Sequence, residues 1–183
     1  FSVGEVTTSV PAGEMTIGTE FVFYPGIYTL TPVDLGEYVD ADPVTLRVKP
    51  ETGSSRSGDT AQRVQLKGDY NSKLTDAALS AAVALTNSCA TVPGNIDQAC
   101  PSSVRATNLS VLQVKKVPAT MKKRGDNGSF TGEAVFSIQS TYSWDKEPHD
   151  VDSTVTATVM LDENGAIKTD ASGEPQFKVS FGY

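Results

Sequence analysis

Leu74-Thr75-Asp76-Ala77-Ala78-Leu79-Ser80-Ala81-Ala82-Val83-Ala84-Leu85-Thr86-Asn87-Ser88-Cys89 is the stretch whose reading decides the fold. Ala78, Leu79, Ala82, Val83, Thr86 and Cys89 recur at three- and four-residue spacing, which places them on one face of a helix. Ser72 or Thr75 is suited to cap its start. The face is mostly alanine, so the helix is built to approach another backbone closely rather than to fill a deep cavity. A helix over Leu74–Cys89 therefore predicts a sheet lying against it.

The helix runs into Cys89-Ala90-Thr91-Val92-Pro93-Gly94-Asn95-Ile96-Asp97-Gln98-Ala99-Cys100, which holds the only two cysteines of the chain. The pair reads as a disulfide, and so as a mark of an oxidising compartment. A redox pair is normally spaced Cys-x-x-Cys at a helix start, where the dipole lowers a thiol pKa; Cys89 stands at a helix end, so a structural bridge is expected. Two cysteines and one distant histidine do not make a zinc site.

Downstream, the pattern changes to period two. Val111, Leu112, Val114 and Val117 mark a strand ended by Pro118. Ala134, Phe136, Ile138, Tyr142 and Trp144 share one side of a strand read as Glu133–Trp144. Val151, Val155, Ala157, Val159 and Leu161 do the same before the turn Asp162-Glu163-Asn164-Gly165, and Phe177, Val179, Phe181 and Tyr183 mark the last strand. One apolar and one polar face on each strand is the signature of an antiparallel sheet covered on one side. The helix is its natural cover.

Upstream of the helix, short β-rich runs are broken by Gly and Pro: Glu14–Tyr24, Ile27–Thr31 and Val44–Lys49. Pro25-Gly26 predicts a hairpin between the first two. Pro50–Thr60 has the composition of a linker or of an exposed hairpin tip, with Arg63–Lys67 as a returning strand. The expected architecture is α+β, mainly antiparallel, with one principal helix packed on a meander sheet and a small β unit before it. The division falls at residues 1–60 and 61–183, or the whole forms one domain.

The bulk properties exclude several classes of function. Of 183 residues, 22 are acidic and 15 basic, a net charge of −7, so the overall field repels polyphosphate and nucleic acid is not an expected partner. The basic cluster Lys115-Lys116 and Lys122-Lys123-Arg124 flanks the turn Gly125-Asp126-Asn127-Gly128 and reads as a solvated sheet edge. No run of about eighteen apolar residues offers a membrane span.

The catalytic signatures are also missing. His149 is the single histidine, and no Gly-x-Ser-x-Gly elbow, phosphate loop, dinucleotide fingerprint or His-Glu-x-x-His helix is present. Asp145, Glu147, His149, Asp150 and Asp152 offer ligand atoms at a spacing that fits neither a calcium loop nor a zinc motif, so no metal and no cofactor are expected. Hydrolysis would have to rest on carboxylates such as Glu133 and Asp152, brought together only by the fold. Phe136, Tyr142 and Trp144, read on one side of a strand, are the candidate lining of a pocket between helix and sheet, with a filled core as the competing reading. Asn108-Leu109-Ser110 and Asn127-Gly128-Ser129 match the glycosylation tripeptide.

Phe23-Tyr24-Pro25-Gly26-Ile27-Tyr28-Thr29-Leu30 resembles the aromatic-Pro-Gly-x-Tyr turn of surface-exposed β modules of the carboxypeptidase-regulatory or PEGA kind. Taken with the helix end Ser88-Cys89-Ala90, with Cys100-Pro101 and with Val117-Pro118, the order is similar to extracytoplasmic regions of actinobacterial membrane-anchored or secreted proteins of unknown function. The resemblance implies a cystatin-like or NTF2-like second part, exposure on the cell envelope or outside the cell, and a membrane anchor upstream. It implies no active site. The chain starts at Phe1 rather than Met, which fits processing or cutting upstream. The function expected from the sequence is a noncatalytic envelope binding or interaction module, taking an envelope protein, a glycan or a small apolar ligand. A carboxylate-based envelope hydrolase and a structural spacer are the alternatives.

Overall fold

The computed structural model describes residues 2–3, 6–7, 23–33, 35–49, 64–90, 97–163 and 165–182. They fall into two compact units, Phe1–Asn71 and Ser72–Tyr183. The expected strand run up to Val22 and the stretch Pro50–Thr60 lie outside the described residues, apart from two short strands near the start.

The first unit carries β1 (Ser2–Val3), β2 (Val6–Thr7), β3 (Gly26–Thr31), β4 (Val39–Ala41), β5 (Val44–Val48) and β6 (Gly68–Tyr70). β2, β1, β3 and β5 form one antiparallel sheet in that order, and β4 pairs separately with β6. Alternation decides the buried side: Tyr28 lies opposite Leu46 and Leu30 opposite Val44, with both leucines buried, while Ile27 opposes Arg47 on the exposed side. The first arm of the hairpin expected at Pro25-Gly26 lies outside the described residues, apart from Phe23 and Tyr24. Phe23 and Tyr24 are not in a strand, and β3 takes β5 and β1 as partners. The Phe23 ring instead leans on Tyr28 at 4.9 Å, and the Tyr28 hydroxyl donates to the Tyr24 carbonyl at 2.8 Å. Tyr28 thus bonds back across Pro25-Gly26 to Tyr24.

The second unit opens with α1 (Ser72–Ser88) and continues through a short 3-10 turn, Ser102–Val104, to β7 (Leu109–Lys116), β8 (Lys122–Arg124), β9 (Ser129–Ser140), β10 (His149–Val159) and β11 (Phe177–Phe181). All pairings are antiparallel in the order β11-β10-β9-β7, with β8 also on β9. The helix packs on β9, β10 and β11 with Leu74, Ala78, Ala82 and Thr86 buried. Thr86 is satisfied there because its hydroxyl donates to the Ala82 carbonyl at 2.8 Å. Phe130, Ala134, Phe136, Val155, Ala157 and Phe181 are buried on the sheet, with the Phe136 and Phe181 rings edge to face at 5.6 Å. Burying each such ring contributes about 1.5–3 kcal/mol. The architecture is α+β, one helix on a mainly antiparallel sheet, as the periodicities predict.

β9 is long enough to hold two partners on one edge: β7 along Val135–Ser140 and β8 along Ser129–Thr131. Between them the chain arches past Gly132, where a Cβ would sit 2.5 Å from the Met121 sulfur and 3.0 Å from the Thr120 carbonyl. Only glycine admits that approach. β10 and β11 are joined by two successive turns, Asp162 to Gly165 and Asp170 to Gly173. There Met160, Lys168 and Gln176 close a ring of three backbone hydrogen bonds, each 2.8 Å. The aspartates serve these turns: the Asp162 carboxylate accepts from Ala166 N–H at 2.9 Å, and the Asp170 carboxylate from Ser172 N–H at 2.8 Å and Ser172 Oγ at 2.6 Å.

Candidate functional site

β9 stops at Ser140 and β10 starts at His149. The eight intervening residues, 141–148, are fixed by a set of local bonds. Asp145 Oδ2 accepts the Ser140 backbone N–H at 2.6 Å, Asp145 N–H donates to the Tyr142 carbonyl at 3.0 Å, and Gln139 Nε2 donates to the Asp145 carbonyl at 3.0 Å. From outside the loop, Asn108 contributes its carbonyl to Thr141 N–H at 2.7 Å. The Asp145 side chain is only 9% exposed, and His149 Nδ1 stands 3.7 Å from its other oxygen. Chiefly because Ser140 donates its backbone N–H, the Asp145 carboxyl is held below its ordinary value. Partial burial opposes this; the Ser140 hydroxyl and the His149 charge assist it.

On this frame stand Tyr142 and Trp144, stacked with ring centroids 5.6 Å apart and planes 14° from parallel. Tyr142 is 55% exposed and Trp144 75%. The three aromatic residues expected on one strand side are therefore not brought together. Phe136 is fully buried against Phe181, whereas Tyr142 and Trp144 lie beyond the strand end. Alternation carries a face only as far as the ladder runs, and the ladder stops where Asp145 takes the Ser140 N–H. The interior between helix and sheet is filled at Phe136.

Glu133 and Asp152 do share a surface. With Lys116, Val135, Ser153 and Thr154 they line a depression of about 310 Å³ on the sheet side away from Phe136. Glu133 is level with Thr154 and Asp152 with Val135, so the two carboxylates are neighbours on one face rather than opposed across a cleft. Another depression, of about 330 Å³, lies in the first unit beside Pro25, Ile27 and Arg47. Within the acidic run that includes His149, Asp145 is bonded to Ser140 and Asp150 forms an ion pair with Lys115. Among the described residues, no three His, Cys, Asp or Glu side chains are grouped to hold a metal ion.

Cys89 and Cys100 form the disulfide, with Cα atoms 5.6 Å apart and both residues buried. The bridge ties the end of α1 to the chain beside β11, where Phe181 N–H donates to the Ala99 carbonyl at 2.8 Å. No helix among the described residues is long and apolar enough to cross a membrane. Comparison with protein-family models, with curated proteins and with solved structures returns no match.

Proposed function

We propose that the chain is a noncatalytic binding or interaction module of the cell envelope, working outside the cytoplasm. The observation that carries this reading is the Tyr142–Trp144 stack, a solvent-facing aromatic surface on a loop braced by Asp145, Gln139 and Asn108. Large exposed rings are costly to keep in water and mark contact sites when their backbone is held rigid. The filled helix–sheet interior favours an external contact over a small apolar ligand held inside. A buried disulfide fits an oxidising compartment.

The test is retention of the immobilised protein's ligands from the envelope fraction of the source cells, comparing wild type with the double variant Y142A/W144A. Retention by wild type and loss in the variant is the expected result; equal retention by both removes the aromatic surface from the function. The shared depression of Glu133 and Asp152 supports a second reading, a carboxylate-based envelope hydrolase. Turnover of wall glycans abolished by E133Q and by D152N would establish that reading instead.

A further inference from the structure

We propose that the Tyr142–Trp144 stack is a sugar platform that takes one pyranose ring of a neutral, β-linked, equatorially substituted glycan. The proposal rests on the binding reading above and names its ligand class.

Size argues for it first. Two aromatic side chains at these exposures present on the order of 200–300 Å², well short of the roughly 800 Å² per partner of a stable protein interface. Among the described residues the surface is also isolated within its unit. The other large exposed apolar residues there are Met160 and Leu161, just past the far end of β10, a strand that spans about 36 Å at about 3.3 Å per residue. An apolar island of this area matches a pyranose face.

Shape and chemistry agree with size. Both rings are more than half exposed, and an aromatic face is negative at its centre, so it attracts the slightly positive axial C–H bonds of a sugar whose hydroxyls are equatorial. Tyr142 braces Trp144, and the loop is held by hydrogen bonds before anything binds, so little side-chain freedom is lost on contact. Exposed Ser143, Lys146, Glu147 and His149, in or next to the same loop, carry donors and acceptors for ring hydroxyls. The acidic balance of the chain disfavours polyanionic chains such as teichoic or nucleic acids.

Trp144 is the only tryptophan, so its fluorescence reports the site alone. The full chain is titrated with a β-linked N-acetylglucosamine tetramer and with cellotetraose, with maltotetraose as the coiled α-linked control; calorimetry follows W144A, W144F and Y142A. A saturable emission shift with at least one β-linked tetramer, binding at least about tenfold weaker in W144A and retained in W144F, is the expected result. The conservative variant separates loss of stacking from loss of fold. No response to either tetramer overturns the sugar platform. If envelope retention still depends on Tyr142 and Trp144, the binding reading survives with a protein ligand; if it does not, both readings fall. A shift with oligo-arginine but not with sugar also overturns the platform, replacing it with a cation-binding surface.

Discussion

The carboxylate of Asp145 accepts the backbone N–H of Ser140 at 2.6 Å, where β9 ends and the loop that holds Tyr142 and Trp144 out in solvent begins. It links the fold to the candidate site: the last ladder residue of a core strand is held by the loop that displays the aromatic pair.

Removing that bond should loosen the display without unfolding the sheet. Because the Asp145 carboxyl is held below its ordinary 3.8, chiefly by the Ser140 N–H, the folded protein takes up that proton less readily than the unfolded chain. Its stabilisation is therefore complete above the ordinary value and is lost as pH falls through the lowered one. Acrylamide quenching of Trp144 is expected to rise in wild type as pH drops below about 4. In D145A it is expected to be high already at neutral pH and flat through the acid range.

The disulfide should contribute to stability and have no catalytic role. Closing a loop with a sequence separation of 11 makes C89A/C100A less stable by about 3 kcal/mol on the chain-entropy account, read by denaturant unfolding. Alkylation without reductant should label neither cysteine of protein purified from its own host.

At Gly132 an added methyl group meets the Met121 sulfur, the Thr120 carbonyl and Pro118. G132A is expected to lose about 1–3 kcal/mol in denaturant unfolding. The double variant G132A/M121A should not recover wild-type stability, because the carbonyl and the proline remain. Full stability in G132A would show that the arch moves aside freely.

Phe136 belongs to the core and not to a ligand pocket, so F136A should cost about 3–5 kcal/mol of stability. Under conditions where the variant stays folded, the emission of Trp144 and envelope retention should match wild type. A change in retention without a change in stability would return Phe136 to the binding surface.

Much of this fold is legible in local pattern. The spacing of Ala78, Ala82, Thr86 and Cys89 marks the buried face of α1, and Phe136, Ile138, Val155, Ala157 and Phe181 fall on the buried side of their strands. Those periodicities come from backbone geometry within one element, so a run of side chains is enough to read them. A second aspartate-to-glycine turn at Asp170, in step with that at Asp162, was also present to be read, though only the first stands out as a turn.

The candidate site was only half legible. Tyr142 and Trp144 stand out by type, yet alternation joined them to Phe136 because nothing within the strand marks its end. In the same way, the pairing of β3 with β5 joins residues that no local pattern connects.

From the sequence alone follow the helix and its close-packing face, the disulfide between Cys89 and Cys100, the alternating strands and the α+β class, since each rests on neighbours in the chain. Only the tertiary structure decided the strand order, the glycine under the arch, and the separation of buried Phe136 from exposed Trp144. These depend on which groups meet: the Asn108 carbonyl with Thr141, the Asp145 carboxylate with Ser140, and Met121 with Gly132. Such bonds form between parts of the chain whose separation carries no periodic signal, and hydrogen bonding and sterics choose them only once the strands are in place.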